Sequence, residues 1–104
     1  MLKIIHMTTI KEKQKDLEMV LQMYPQLSLL QRTILLNIFY WQETQGYYCY
    51  YKTTLEKEYA ELHSPKEIKE AIYELIRDEW INKERKLVTY NERYSTQIRL
   101  TLNI

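Results

Sequence analysis

The chain has 104 residues, of which 45% are hydrophobic and 28% are charged, and its formal net charge is +1. This size and composition predict one small globular domain and exclude a disordered chain. One cysteine excludes an internal disulfide, two histidines give no metal-ligand spacing, and no apolar run reaches the roughly 20 residues of a membrane span. We therefore expect a cytoplasmic protein without a cofactor, a metal or a membrane segment.

The first predicted element is an amphipathic helix over residues 9–24. Thr9 and Glu12 form a capping-box pattern, and apolar residues recur at helical spacing as far as Tyr24. Pro25 ends the pattern. The lysines of the first turns are interpreted as a solvated face, with phosphate contact as the less favoured alternative.

A second helix is predicted from the cap at Ser28 to about Gln45, with Gly46 ending it. It is apolar on nearly every side, which is typical of a helix at the centre of a fold. Its additional apolar side must be covered either by the first helix or by a second copy of the protein.

The aromatic residues 47–51 predict a short strand, in which Cys49 is interpreted as a small buried hydrophobic residue. Its tyrosines either pack in the core or form a protein interface. Thr53 and Glu56 then form a capping-box pattern that opens a short helix. Only His63 separates this helix from the next cap at Ser64, and two helices joined so tightly predict a helix-turn-helix.

A third helix is predicted from the N-cap Ser64, with Pro65 at its first position. Its inward stripe recurs at a 3.6-residue period and consists of Ile68, Ala71, Ile72, Leu75 and Ile76. The outward side divides into a basic flank (Lys66, Lys69, Tyr73, Arg77) and an acidic flank (Glu67, Glu70, Glu74). This helix is either a recognition helix that lays its basic flank on nucleic acid or a solvated face of mixed charge.

The C-terminal part predicts a β-hairpin. Residues 82–86 form a polar connection, residues 87–90 the first strand, and residues 91–95 a polar tip. Residues 96–104 alternate strictly between apolar and polar side chains, which is typical of a half-buried strand.

This order of elements resembles a winged helix-turn-helix domain. Residues 27–36, 51–56 and 64–81 are similar to the winged-helix domains of phage and plasmid replication proteins and of small bacterial regulators. The resemblance implies an α+β, mostly α fold over residues 1–104, in which residues 1–26 are an N-terminal helical extension and residues 27–104 are the winged-helix core. That family has a glycine where Trp80 stands, so we expect a different helix exit, with Asn82 as its left-handed residue.

The resemblance also implies double-stranded DNA as the partner, bound by the third helix and by the wing. The residues placed at the duplex are Lys52, Thr53, Ser64, Lys66, Lys69, Tyr73, Arg77 and Arg93. The implied function is that of a homodimeric regulator of replication or transcription from a phage, a plasmid or a low-GC bacterium. The alternatives are a winged-helix module that docks on another protein and a structural dimer module. No residue spacing indicates an enzyme.

Overall fold

The computed structural model describes residues 9–50 and 62–103, so the short helix predicted after Thr53 lies outside the described residues. The described helices are α1 (Ile10–Leu21), α2 (Leu29–Gln45) and α3 (Pro65–Arg77). The described strands are β1 (Tyr48–Tyr50), β2 (Ile81–Tyr90) and β3 (Arg93–Leu102). Helices hold about half of the described residues, and the predicted α+β class is confirmed.

The N-caps predicted at Thr9, Ser28 and Ser64 are confirmed, while the one predicted at Thr53 lies outside the described residues. The hydroxyl oxygens of Thr9, Ser28 and Ser64 each accept a hydrogen bond from a backbone N–H three residues later. At Ser28 the capping box is complete, because Gln31 Oε1 also accepts from the Ser28 N–H at 3.0 Å. The first helix is shorter than predicted, since the N–H groups of Met23 and Tyr24 already bond to carbonyls three residues back.

Gly46 terminates α2 as predicted. Its φ of 96° lies in the left-handed region, and its N–H donates to the Gln42 carbonyl at 2.8 Å. No heavy atom lies within 4 Å of the position that a Cβ would occupy, so the backbone conformation alone favours glycine here.

The strands form one antiparallel sheet in the order β1-β3-β2. The predicted polar connection at residues 82–86 is wrong, because these residues belong to β2 and pair with residues 97–101 of β3. The predicted five-residue tip is also wrong. Asn91 and Glu92 alone form the turn, and both have positive φ values of 49° and 63°, as a type I′ turn requires.

The exit of α3 corrects another prediction. Glu79, not Asn82, is left-handed with a φ of 62°, while Asn82 lies in β2. The N–H groups of Glu79 and Trp80 donate to the carbonyls of Ile76 and Leu75, which is the hydrogen-bond pattern of a Schellman motif. The Trp80 ring then packs edge-on against Tyr24, with a centroid distance of 4.9 Å.

The core lies between α2, α3 and one face of the sheet. It is built from Ile34, Leu35 and Ile38 of α2, together with buried residues of α3 and of strands β2 and β3. The central position predicted for α2 is confirmed. Helix α1 covers its outer side within one chain, and Lys13 Nζ lies 3.7 Å from Glu43 Oε2. None of the described helices combines the length and the apolar character needed to cross a membrane.

Candidate nucleic-acid interface

Helix α3 is held by a buried stripe that matches the predicted one, with Ile68, Ala71, Ile72 and Leu75 buried and Ile76 partly buried. Because this stripe faces the core, it fixes the orientation of α3 and therefore determines which element lies next to each of its two flanks. The flank with Lys69 and Tyr73 borders the sheet, where these residues share a cleft with β2 and β3. The opposite flank borders α2.

The acidic flank of α3 is largely engaged by neighbours. Glu74 Oε2 accepts a hydrogen bond from Gln31 Nε2 of α2 at 2.9 Å. Glu67 Oε2 lies 3.0 Å from the Nδ1 atom of His63. These two carboxylates therefore lie on the side of α3 that is turned from the sheet.

The basic flank is unequally available for binding. The Lys66 side chain is 84% exposed, and its Nζ lies 4.0 Å from Glu70 Oε1, which is a weak surface pair. Lys69 is exposed, and Tyr73 is 65% exposed. These side chains can reach a bound polyanion.

Two other predicted residues of α3 are already engaged. Arg77 forms two hydrogen bonds with Asp78, at 3.1 and 3.3 Å. The hydrogen bond from Arg77 lowers the pKa of Asp78, and the same contact raises the pKa of Arg77. The Arg77 charge is thus offset locally, while the Ser64 hydroxyl oxygen serves as the cap of α3.

The sheet adds two cations that sequence reasoning missed, Lys83 and Arg85 of β2. Lys83 pairs with the buried Leu100, and Arg85 pairs with Ile98. Paired residues lie on the same face of a sheet, so both cations lie on the face that packs against the helices. The sequence carries no local signal for this placement, because the positions that follow Ile81 on this face are charged rather than apolar.

Arg93 occupies the other face of the hairpin. It pairs with Tyr90, and the register places Glu84, Lys86 and Arg99 on the same face of the sheet as Arg93. Arg99 is already engaged, because its guanidinium lies 4.0 Å from the centroid of the Tyr47 ring. The structure therefore separates Arg93 from Lys69 and Tyr73, whereas the resemblance implies that all three lie at the duplex.

We call the surface formed by Lys69 and Tyr73 of α3 and by Lys83 and Arg85 of β2 the inner basic face. None of its three cations lies within 4 Å of a carboxylate among the described residues. In β2 and β3, the positions on the same sheet face as Lys83 hold no acidic residue. Lys66 extends this positive region toward the start of α3.

Cations without neighbouring carboxylates create a local positive potential even when the net charge is only +1. Such a surface can bind phosphate groups, and its exposed tyrosine can contact sugars or bases. Lys52 and Thr53, which were also placed at the duplex, lie outside the described residues. Comparisons of the chain with protein-family models, curated proteins and solved structures gave no match.

Proposed function

We propose that the chain is a winged-helix protein that binds double-stranded DNA through the inner basic face. In this proposal it regulates replication or transcription in a phage, a plasmid or a low-GC bacterium. The order of the described elements supports a winged helix, because α3 is followed directly by a hairpin whose last strand pairs with β1. That hairpin is the proposed wing.

The observation that carries the proposal is the inner basic face itself. Its cations come from two elements, Glu74 of α3 is turned toward α2, and Glu70 pairs with Lys66 rather than with a cation of the inner basic face. Lys66, Lys69, Lys83 and Arg85 contact phosphates, which provide affinity and fix the position on the duplex. Tyr73 is the exposed side chain of α3 that is placed to contact sugars or bases.

Protection of the sheet edge is an alternative, structural explanation for the presence of Lys83 and Arg85 in β2. Strand β2 is an edge of the sheet, and lysine or arginine on an edge strand hinders pairing with other chains. Edge protection alone does not require exposed cations on α3 beside those of β2. Because both α3 and β2 contribute exposed cations to this surface, we favour DNA binding over edge protection alone.

The proposed protein acts as a homodimer on a palindromic site, with its two α3 helices about 34–36 Å apart. Exposed apolar side chains on α1 and at the start of α2 support self-association. They are Met19 and Met23, which are 63% and 77% exposed, and Leu29, which is 79% exposed. The exposed methionines equally favour the second candidate function, a module that docks on another protein, because interfaces are enriched in methionine and aromatic residues.

The test is fluorescence anisotropy with a labelled duplex of mixed sequence at low salt. We expect the wild-type protein to bind and the Lys66→Glu, Lys69→Glu double variant to lose binding. The control is Lys11→Glu with Lys15→Glu, which makes the same charge change on exposed residues of α1. No binding by the wild type, or equal losses in both double variants, would contradict the proposal and favour the protein-docking module.

A further inference from the structure

We infer that the cleft between α3 and the sheet is a binding site for a small carboxylate with a hydrocarbon body. The cleft has a volume of about 150 Å³ and lies within the inner basic face. Its floor is apolar and includes Ile72, Ile98 and Leu100. Lys69 and Lys83 stand at its rim, one from the helix and one from the sheet.

The size of the cleft sets the size of the hydrocarbon body. An apolar cavity of about 150 Å³ lined by aliphatic side chains accommodates benzene. The floor residues Ile72 and Leu100 are buried, whereas Ile98 is half-buried and the rim lysines are exposed. A single ring or a short branched chain that enters from solvent can therefore contact the half-buried Ile98 and Ile76, whereas Ile72 and Leu100 are covered by their neighbours.

The rim determines the charge of the ligand. Neither Lys69 nor Lys83 has a carboxylate within 4 Å among the described residues, so an anionic group at the mouth would be the first to pair with them. A neutral hydrocarbon would fill the floor and leave these ammonium groups unpaired. One carboxylate attached to the ring satisfies both parts of the site.

Occupancy of the cleft has a consequence for DNA binding, and this step rests on the proposed function. Lys69 and Lys83 are two of the four cations assigned to phosphates. A carboxylate at the rim neutralises part of the same positive potential and lies where a phosphate would approach. The ligand and the duplex should therefore compete.

The test uses phenylacetate as the probe and 2-phenylethanol, which has a similar ring and no charge, as its control. Two-dimensional amide NMR of the full chain follows each titration. We expect saturable shifts at Ile98, Leu100 and Ile72 with phenylacetate, and about tenfold weaker binding of the alcohol. Equal affinities, or shifts confined to other parts of the molecule, would overturn the inference.

Variants test the rim separately from the floor. Lys69→Gln with Lys83→Gln should weaken phenylacetate binding by about tenfold, since two exposed charge pairs are lost, and should leave the alcohol unaffected. The matched control, Lys86→Gln with Arg93→Gln, lies on the other sheet face and should change neither titration. Unchanged phenylacetate binding in the first variant would contradict the site.

A competition experiment separates this inference from the proposed function. If phenylacetate binds in the cleft and no duplex binds, the ligand site stands and the DNA proposal fails. If the duplex binds and phenylacetate gives no saturable shift, the DNA proposal stands and the ligand site fails. Saturable binding of both without competition would reject the shared use of Lys69 and Lys83.

Discussion

The two faces of the β2–β3 hairpin provide a charge-matched test of the DNA interface. The inner variant, Lys83→Gln with Arg85→Gln, removes two cations from the face that borders α3. The outer variant, Lys86→Gln with Arg93→Gln, removes two cations from the opposite face of the same hairpin. Both variants change the formal net charge from +1 to −1.

The expected magnitude follows from counterion release. Each neutralised phosphate contributes about 0.9 to the slope of log affinity against log salt concentration, so four contacts give a slope of about −3.6. Affinity of the wild type should then fall roughly 150-fold over a fourfold rise in salt. Removing two contacts leaves a slope of about −1.8, and the same rise in salt then weakens binding only about 12-fold.

The assay is anisotropy with one duplex at a series of salt concentrations. The inner variant should bind more weakly at low salt and show the smaller slope, while the outer variant should retain the wild-type slope. Equal slopes in both variants would mean that net charge alone governs binding. A reduced slope only in the outer variant would place the duplex at Arg93 and refute the inner basic face.

Three further predictions concern stability, and urea unfolding measures each of them. Gly46→Ala should lower the free energy of unfolding by about 1–2 kcal/mol, because alanine is strained at a φ of 96°. Gln31→Ala should cost about 1–3 kcal/mol, since the buried amide completes the α2 cap and donates to Glu74. Glu92→Gly should stabilise the protein by about 0.5–1 kcal/mol, because glycine adopts the left-handed turn conformation without strain.

Each of these variants has a control. Gly46→Asn should cost less than Gly46→Ala, because asparagine tolerates the left-handed region better; the reverse order would refute the backbone explanation. Gln22→Ala, at an exposed position after α1, should stay within about 0.5 kcal/mol of the wild type, and a cost equal to that of Gln31→Ala would remove the role of the cap. Thr101→Gly, away from the turn, should destabilise the sheet, so a gain there as large as at Glu92 would contradict the turn argument.

The helices could be predicted from local signals. Thr9, Ser28 and Ser64 accept the capping bonds that their positions predicted, and Gly46 adopts the left-handed conformation expected of it. These features depend on residues within one or two turns, so the sequence contains the complete signal. The stripe of α3 was equally local, and it correctly placed Lys69 and Tyr73 on one flank.

The C-terminal hairpin was predicted, but its bounds could not be predicted in the same way. In β2 the inward positions after Ile81 hold Lys83 and Arg85, so the apolar alternation that indicates a half-buried strand is missing. Their place on the sheet follows only from the register with β3. Glu79 was missed for a related reason, because the exit of α3 is fixed by hydrogen bonds back to Leu75 and Ile76 rather than by a glycine.

The most direct test of the DNA interface is NMR detection of the arginine Nε–H groups while a duplex is added. Arg85 belongs to the inner basic face, whereas Arg93 lies on the opposite face of the same hairpin. We predict that the Arg85 signal shifts in proportion to bound DNA and that the Arg93 signal stays in place. A shift of Arg93 with an unchanged Arg85 would contradict the proposed interface.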